Sequence, residues 1–395
     1  MESVILLSGT ALFQKEGASM HGKTSLYRRA TLAGTGLLLA IGICLPRGMA
    51  QAPAAPKNAS VPKAAGKAEP KFKAIWEPIN YKQHLKLTDV FFIDEKSGWV
   101  AGVAGTILHT EDGGESWTAQ LGGDPQAQER ELCCLQFLDP SHGWAIRGGG
   151  SLLRTTDGRT WEEVADDAVR QYFGADGKGY RFLSGTKGVN AYGDTVSLTG
   201  DGGRTWNKVY NCHARMDVDG LTRDVSCTLG VVDFPSSNVG YAAHEARVIV
   251  KTEDGGATWN AMAGPQEPGD QRVYGLAFLD ERTGFAVRSG AKLYRTEDGG
   301  QTWHGLVASP GNKILFSGPN VGWSFRGRAM VYTTDGGRRW TSREIGFPVQ
   351  VNSFCLPTTQ RGYVVGDHGM IYRYRIVPVE YTAKGMLAAP GMAQQ

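Results

Sequence analysis

The chain has 395 residues, of which 41% are hydrophobic and 21% charged, with 54 Gly, ten Trp and a formal net charge of +3. That Gly share is roughly twice the usual one of about 7%, and with so many aromatics and no Gly-X-Y period it points to many tight turns between aromatic strands. A helical bundle, a coiled coil and a disordered chain are disfavoured, and neither nucleic-acid binding nor a strongly acidic surface follows from the charge.

The N-terminus reads as an export signal over residues 1–52. A basic stretch with Lys23, Arg28 and Arg29 precedes the apolar run Gly36–Leu45, and Met49-Ala50-Gln51-Ala52 supplies a small-residue exit. The run is short for a membrane span. Arg28-Arg29 is compatible with twin-arginine export, although Thr31 sits where that signal prefers a large apolar residue, so the route stays open. Ile43 before Cys44 disfavours lipidation, and Met1 or Met20 can serve as the start. Without residues 1–52 the chain keeps 37 basic and 37 acidic residues. Residues 53–73, rich in Ala, Pro and Lys, read as a flexible linker with too little apolar surface to order itself.

After Trp76 one repeat dominates. Thr110-Glu-Asp112-Gly-Gly-Glu-Ser-Trp117 recurs around Asp201 and Trp206, Asp254 and Trp259, Asp298 and Trp303, and Asp335 and Trp340. A copy one residue shorter carries Asp157 and Trp161. Successive aspartates are 45, 44, 53, 44 and 37 residues apart. Asp-Gly-Gly between an alternating apolar segment and a Trp is a hairpin signature. The carboxylate can accept turn N–H groups, glycine permits positive φ and the indole covers the turn. These six acids therefore read as structural rather than catalytic or metal-binding.

Upstream of each Asp lies a Gly-aromatic phrase, as in Ser97-Gly-Trp99, His142-Gly-Trp144, Val239-Gly-Tyr241, Thr283-Gly-Phe285 and Val321-Gly-Trp323, and ahead of that an apolar strand such as Val90–Ile93. Four short antiparallel strands per unit of this length make one blade of a propeller. The expectation is an all-β, seven-bladed β-propeller over residues 74–377. Six blades carry the Asp turn; the seventh runs from Val351 to Arg375 and lacks its fourth strand. Ala74–Ile79 can supply that strand, closing the ring and removing its open edges. Residues 378–395 read as a disordered tail.

Cysteines fit an oxidising compartment. Cys212 and Cys227 bracket the long insertion and are expected to form a disulfide, whereas Cys133, Cys134 and Cys355 on inner strands read as buried thiols. No Cys/His spacing suggests zinc or haem, and no cofactor or metal is expected.

The Asp-turn phrase is the Asp-box of sialidases, xyloglucanases and sortilin-type receptors. Six Asp-boxes, each with an upstream Gly-aromatic phrase, resemble most the photosystem II stability and assembly factor family, over roughly Trp76 to Arg375. The resemblance implies an exported, non-enzymatic monomeric scaffold in the periplasm or an equivalent lumenal compartment. Its partner would be a membrane protein complex or its assembly intermediate, with no nucleic acid and peripheral membrane contact at most. Related bacteria without that photosystem leave the client open.

The fourth residue after each Gly of the phrase ends a second strand and is Gly102, Arg147, Tyr192, His244, Arg288, Arg326 or Gly366. The common register predicts that Arg147, His244, Arg288 and Arg326 emerge on one face as a donor arc for acidic loops, and the resemblance likewise implies a basic patch there. Two alternatives stand. One is a periplasmic receptor for a ligand or peptide. The other is a glycoside hydrolase, which lacks here both the Phe/Tyr-Arg-Ile-Pro phrase of sialidases and the second propeller of xyloglucanases.

Overall fold

The computed structural model describes residues 72–81, 83–124, 129–164, 178–218, 221–244, 248–265, 272–378 and 387–388. The export signal over 1–52, the linker up to residue 71 and most of the tail lie outside them.

Among the described residues seven antiparallel blade sheets succeed one another along the chain, six of them meanders of four strands and the seventh a meander of three completed by strands from the chain's two ends. The first strands, which face the axis, are Leu87–Phe92, Leu132–Phe137, Tyr180–Phe182, Leu229–Asp233, Val273–Phe278, Ile314–Ser317 and Val351–Thr358. We number the blades one to seven in that order. The second strands are buried over most of their length, fully so in Gly98–Gly102 and Gly284–Arg288 and up to an exposed last residue in Gly188–Tyr192 and Val321–Arg326, because both faces of each blade are covered by its neighbours. The fourth strands, such as Thr118–Leu121 and Asn260–Ala263, form the half-exposed rim.

The ring closes as expected. Phe72–Pro78 pairs antiparallel with Ile371–Pro378 of blade seven, with Trp76 opposite Tyr374. Trp76 is fully buried, its ring 5.5 Å from that of Trp323, 5.2 Å from Phe347 and 5.3 Å from Tyr374. Beside it, Glu77 accepts hydrogen bonds from both Arg373 and Arg375. Two details differ from the expectation. The closing strand starts at Phe72, inside the expected linker, and Leu387–Ala388 from the expected tail pairs with Ile75 and Trp76 as a fifth strand. An extended edge with unpaired N–H and C=O groups is a template for such an addition.

The Gly-aromatic phrase explains how the blades stack. Its aromatic lies flat on an inner-strand ring of the next blade: Trp99 on Phe137 at 3.7 Å, Trp144 on Phe182 at 3.9 Å and Tyr241 on Phe278 at 3.7 Å. Tyr363 lies on Phe92 at 3.6 Å and carries the series across the closure from blade seven to blade one. The glycine makes room for its own blade's inner ring. A Cβ at Gly143 would stand 2.3 Å from Phe137, and one at Gly284 2.3 Å from Phe278.

The long insertion is a two-stranded ribbon, His213–Val218 paired with Leu221–Ser226, between blades three and four.

Candidate functional site

Each Asp turn is closed by its own side chains. In blade four, Thr252 donates to Oδ1 of Asp254 at 2.8 Å, while Thr258 donates its N–H to Oδ1 at 2.9 Å and its hydroxyl to Oδ2 at 2.6 Å. The Thr252 hydroxyl also accepts the N–H of Gly256 at 2.9 Å, and the Trp259 indole donates to the Gly256 carbonyl at 2.9 Å. Asp112, Asp201 and Asp298 repeat the pattern with Ser116, Thr205 and Thr302. In the shorter copy Asp157 takes the N–H groups of Arg159 and Thr160, and Asp335 takes that of Arg339. Gly255 and Gly256 hold φ of 72° and 93°, a region closed to most side chains.

Electrostatics follow this geometry. Slight burial pushes the Asp112, Asp201 and Asp298 carboxyls up, but hydrogen bonds from the turn outweigh it and hold each at about 2. For Asp254 the Thr258 hydroxyl and N–H lead, again giving about 2. Asp157 is held low by the N–H groups of Thr160 and Arg159, and Asp335 by that of Arg339. A carboxylate held low by its own turn is a poor proton donor or acceptor near neutrality.

The four basic residues do end their second strands, yet they do not form one exposed arc. Arg288 is buried at 2% exposure, donates to the Pro265 carbonyl at 3.3 Å and lies 5.3 Å from the Tyr294 ring. His244 sits 3.2 Å from the Val273 carbonyl of blade five, and Arg147 pairs with Glu163 at 3.1 Å. Only Arg326 of the four is exposed with no hydrogen bond or ion pair among the described residues; Arg328, two residues on, is also exposed. The expected arc is thus corrected for Arg288. Strand side chains stand perpendicular to their sheet, and in a propeller that perpendicular points at the adjacent blade rather than out of the face.

The sequence reading missed the wall of the central cavity, whose volume is about 1120 Å³. Asp89 of blade one accepts the N–H of Leu135 in blade two at 2.8 Å and the hydroxyl of Ser353 in blade seven, and lies 3.5 Å from Lys313 of blade six. Asp233 of blade four accepts the Phe278 N–H at 2.7 Å and faces Arg181 of blade three at 3.7 Å. Burial raises the Asp233 carboxyl, against the pull of Arg181 and of that N–H. Gln136 bonds both the N–H and the C=O of Phe182, tying blade two to blade three. Charged residues at inner-strand positions where the repeat is otherwise apolar were the available signal. No group of three or more metal-ligating side chains occurs among the described residues.

Cys212 and Cys227 are joined by a disulfide at the base of the ribbon. Cys133 and Cys134 are also joined, to each other, which corrects their reading as buried thiols. Both are only half-buried and both line the cavity, so the strand that carries them is open to the axis. Cys355 is a buried free thiol, pushed up to about 12 by burial.

A family profile described as "Photosynthesis system II assembly factor YCF48" matches residues 68–169 and 181–315, more than half of the chain. The photosystem II assembly protein Ycf48 of Thermosynechococcus vestitus is 40% identical over 42 residues, a stretch that covers 11% of this chain and 12% of that relative. Among solved structures, YCF48 bound to D1 peptide is similar at a TM-score of 0.57 with 20% identity, over 76% of this chain and 96% of that one. YCF48 from Cyanidioschyzon merolae gives 0.55 with 18% identity, over 76% and 98%. An ancestral GH74 enzyme gives 0.53 with 14% identity, over 75% and 46%. At these identities the structural likenesses establish the fold.

Proposed function

We propose, since the chain belongs to the photosystem II assembly factor YCF48 family, that it is an exported, non-enzymatic scaffold holding an assembly intermediate of a membrane protein complex on one propeller face. The observation that carries the reading is the family match, which runs through most of the propeller. A structure of the same fold has YCF48 bound to D1 peptide, which supports an unassembled subunit's peptide segment as the kind of ligand for this chain. Two disulfides among the described residues support an oxidising compartment, and the expected signal over residues 1–52 would deliver the chain there as a monomer peripheral to the membrane.

On the face where second strands end, Arg326 is the donor we assign to partner carboxylates, with the half-buried Arg147 and His244 contributing from their own strand ends. Arg288 is withdrawn from contact and supports the face from beneath. Hydrolysis is the weaker reading, because each of the six Asp-box carboxylates is engaged by its own turn. Affinity capture from solubilised membranes tests the proposal. One integral complex should co-purify with the wild-type chain, and Arg326→Glu should lower its yield at least tenfold while thermal unfolding stays unchanged. Capture of no membrane protein, or glycan hydrolysis by the purified chain, would overturn it.

A further inference from the structure

We propose that the Cys133–Cys134 disulfide is a thiol-exchange site on the wall of the central cavity, reduced there by a small dithiol, and that its reduction loosens the wall across three blades. The two disulfides of the propeller live in opposite surroundings. Cys212 and Cys227 are 0% and 2% exposed beneath the ribbon. Cys133 and Cys134 are half-buried and face a cavity of about 1120 Å³, ample for a dithiol to enter. Access to the attacking thiolate is one of the factors that make a disulfide labile, and here it differs sharply between the two.

The position of the pair gives its state a consequence. The pairing of the inner strand Leu132–Phe137 with Gly143–Arg147 shifts register between Cys133 and Gln136. Cys134 sits in that bulge with φ of 65°, a left-handed conformation rare for any residue but glycine. The flanking atoms hold the neighbouring blades. The Cys134 carbonyl accepts the Tyr180 hydroxyl of blade three, the Leu135 N–H reaches Asp89 of blade one, and the Gln136 carboxamide clamps Phe182. The crosslink therefore fastens the bulge at the node joining blades one, two and three.

The exchange balances as follows. A thiolate of the dithiol attacks one sulfur, forming a mixed disulfide and releasing the other cysteine as a thiolate, which takes a proton. The dithiol's second thiolate then displaces the remaining cysteine, which is protonated in turn. Two electrons and two protons pass to the protein, and the reductant leaves as its own disulfide. Cys355 takes no part, since burial keeps its thiol protonated near neutrality. Once the crosslink opens, Cys134 is free to leave the left-handed region and the strand to slacken at Leu135.

The test uses the oxidised full-length protein without denaturant. It is incubated with graded dithiothreitol, trapped with N-ethylmaleimide and mapped by peptide mass spectrometry, with hydrogen exchange followed in parallel. Cys133 and Cys134 should label at a dithiothreitol concentration at least tenfold below that needed for Cys212 and Cys227. Amide exchange at Leu135 and Phe182 should quicken with the labelling. A Cys133→Ser, Cys134→Ser variant should show the fast exchange without reductant and no response to it. Labelling before any reductant is added, labelling no earlier than at Cys212 and Cys227, or labelling without a change at Leu135 and Phe182 would each overturn the proposal.

Discussion

Truncating Trp76 to Ala puts the ring closure to a quantitative test. The side chain is 0% exposed and is surrounded by Trp323, Phe325, Phe347 and Tyr374. Removing about 150 Å² of buried ring surface at about 25 cal/mol per Å² costs roughly 4 kcal/mol. A partly collapsed cavity adds to this, and relief for the indole N–H, which finds no acceptor among the described residues, subtracts about 1 kcal/mol. The net loss is about 4 kcal/mol. With an unfolding entropy of about 2.1 cal/mol/K per residue over roughly 300 folded residues, Tm should fall by about 6 °C. Trp76→Phe keeps most of the volume and discards the unpaired N–H, so it should cost only about 1–2 kcal/mol. Urea titration with tryptophan fluorescence, alongside calorimetry, measures both. If Trp76→Ala lies within about 1 kcal/mol of wild type at unchanged m-value, the first strand is not an integral part of the ring, and the closure argument fails.

Four further outcomes follow from the repeats and the insertion. Asp254→Ala removes three hydrogen bonds to one carboxylate, two of them from Thr258, and should cost about 2 kcal/mol by urea titration, whereas the catalytic reading would expect no stability loss. Because Asp112, Asp201, Asp254 and Asp298 sit at about 2 in the fold, below the ordinary carboxylate value of about 3.9, their stabilisation is complete above pH of about 4. It should be lost as pH falls towards about 2, and Asp233, raised by burial, works in the opposite sense; Tm measured from pH 6 to 2 should show the decline, steepened if the four turns fail together. Gly143→Ala drives a Cβ to 2.3 Å from the Phe137 ring and should cost about 1–3 kcal/mol in the same titration. Replacing both Cys212 and Cys227 by Ser opens a loop with a sequence separation of 15, and should lower stability by about 3 kcal/mol while leaving the blades intact by circular dichroism.

The fold was legible because its instructions are local and written six times. Asp-Gly-Gly-x-Thr-Trp specifies a turn through atoms within a few residues of one another, so a reader needs no tertiary knowledge to place it. The Gly-aromatic phrase was equally visible, yet its purpose was not, because the partner ring lies about 40 residues away in the next blade. Trp99 meets Phe137 and Trp144 meets Phe182, contacts that exist only once the blades are stacked. The added strand Leu387–Ala388 escaped notice for the same reason, since two residues carry no period and only the edge beside Trp76 gives them a role.

The site was far less legible, and the four basic residues show why. Sequence register fixed where Arg147, His244, Arg288 and Arg326 attach, since each closes its second strand. What register leaves open is the side chain's destination, which depends on whatever the neighbouring strand offers within reach. Beside Arg288 stands Tyr294, two strand positions into the next hairpin arm, and the Pro265 carbonyl comes from the rim of blade four, so the guanidinium is drawn inward. Beside Arg326 the facing residue is Ala329 and the counterpart of Tyr294 is Val331, neither of which offers an acceptor or a ring, and the side chain stays in solvent. One repeat position thus yields a buried strut in one blade and an exposed donor in the next. In a propeller the identity of the neighbours on the third strand therefore decides which blades can touch a partner, and Ala329→Glu should silence Arg326 by pairing it. Loss of complex capture in that variant, with Tm unchanged, would place recognition at Arg326 without altering the arginine itself; retained capture would move recognition to another part of the ring.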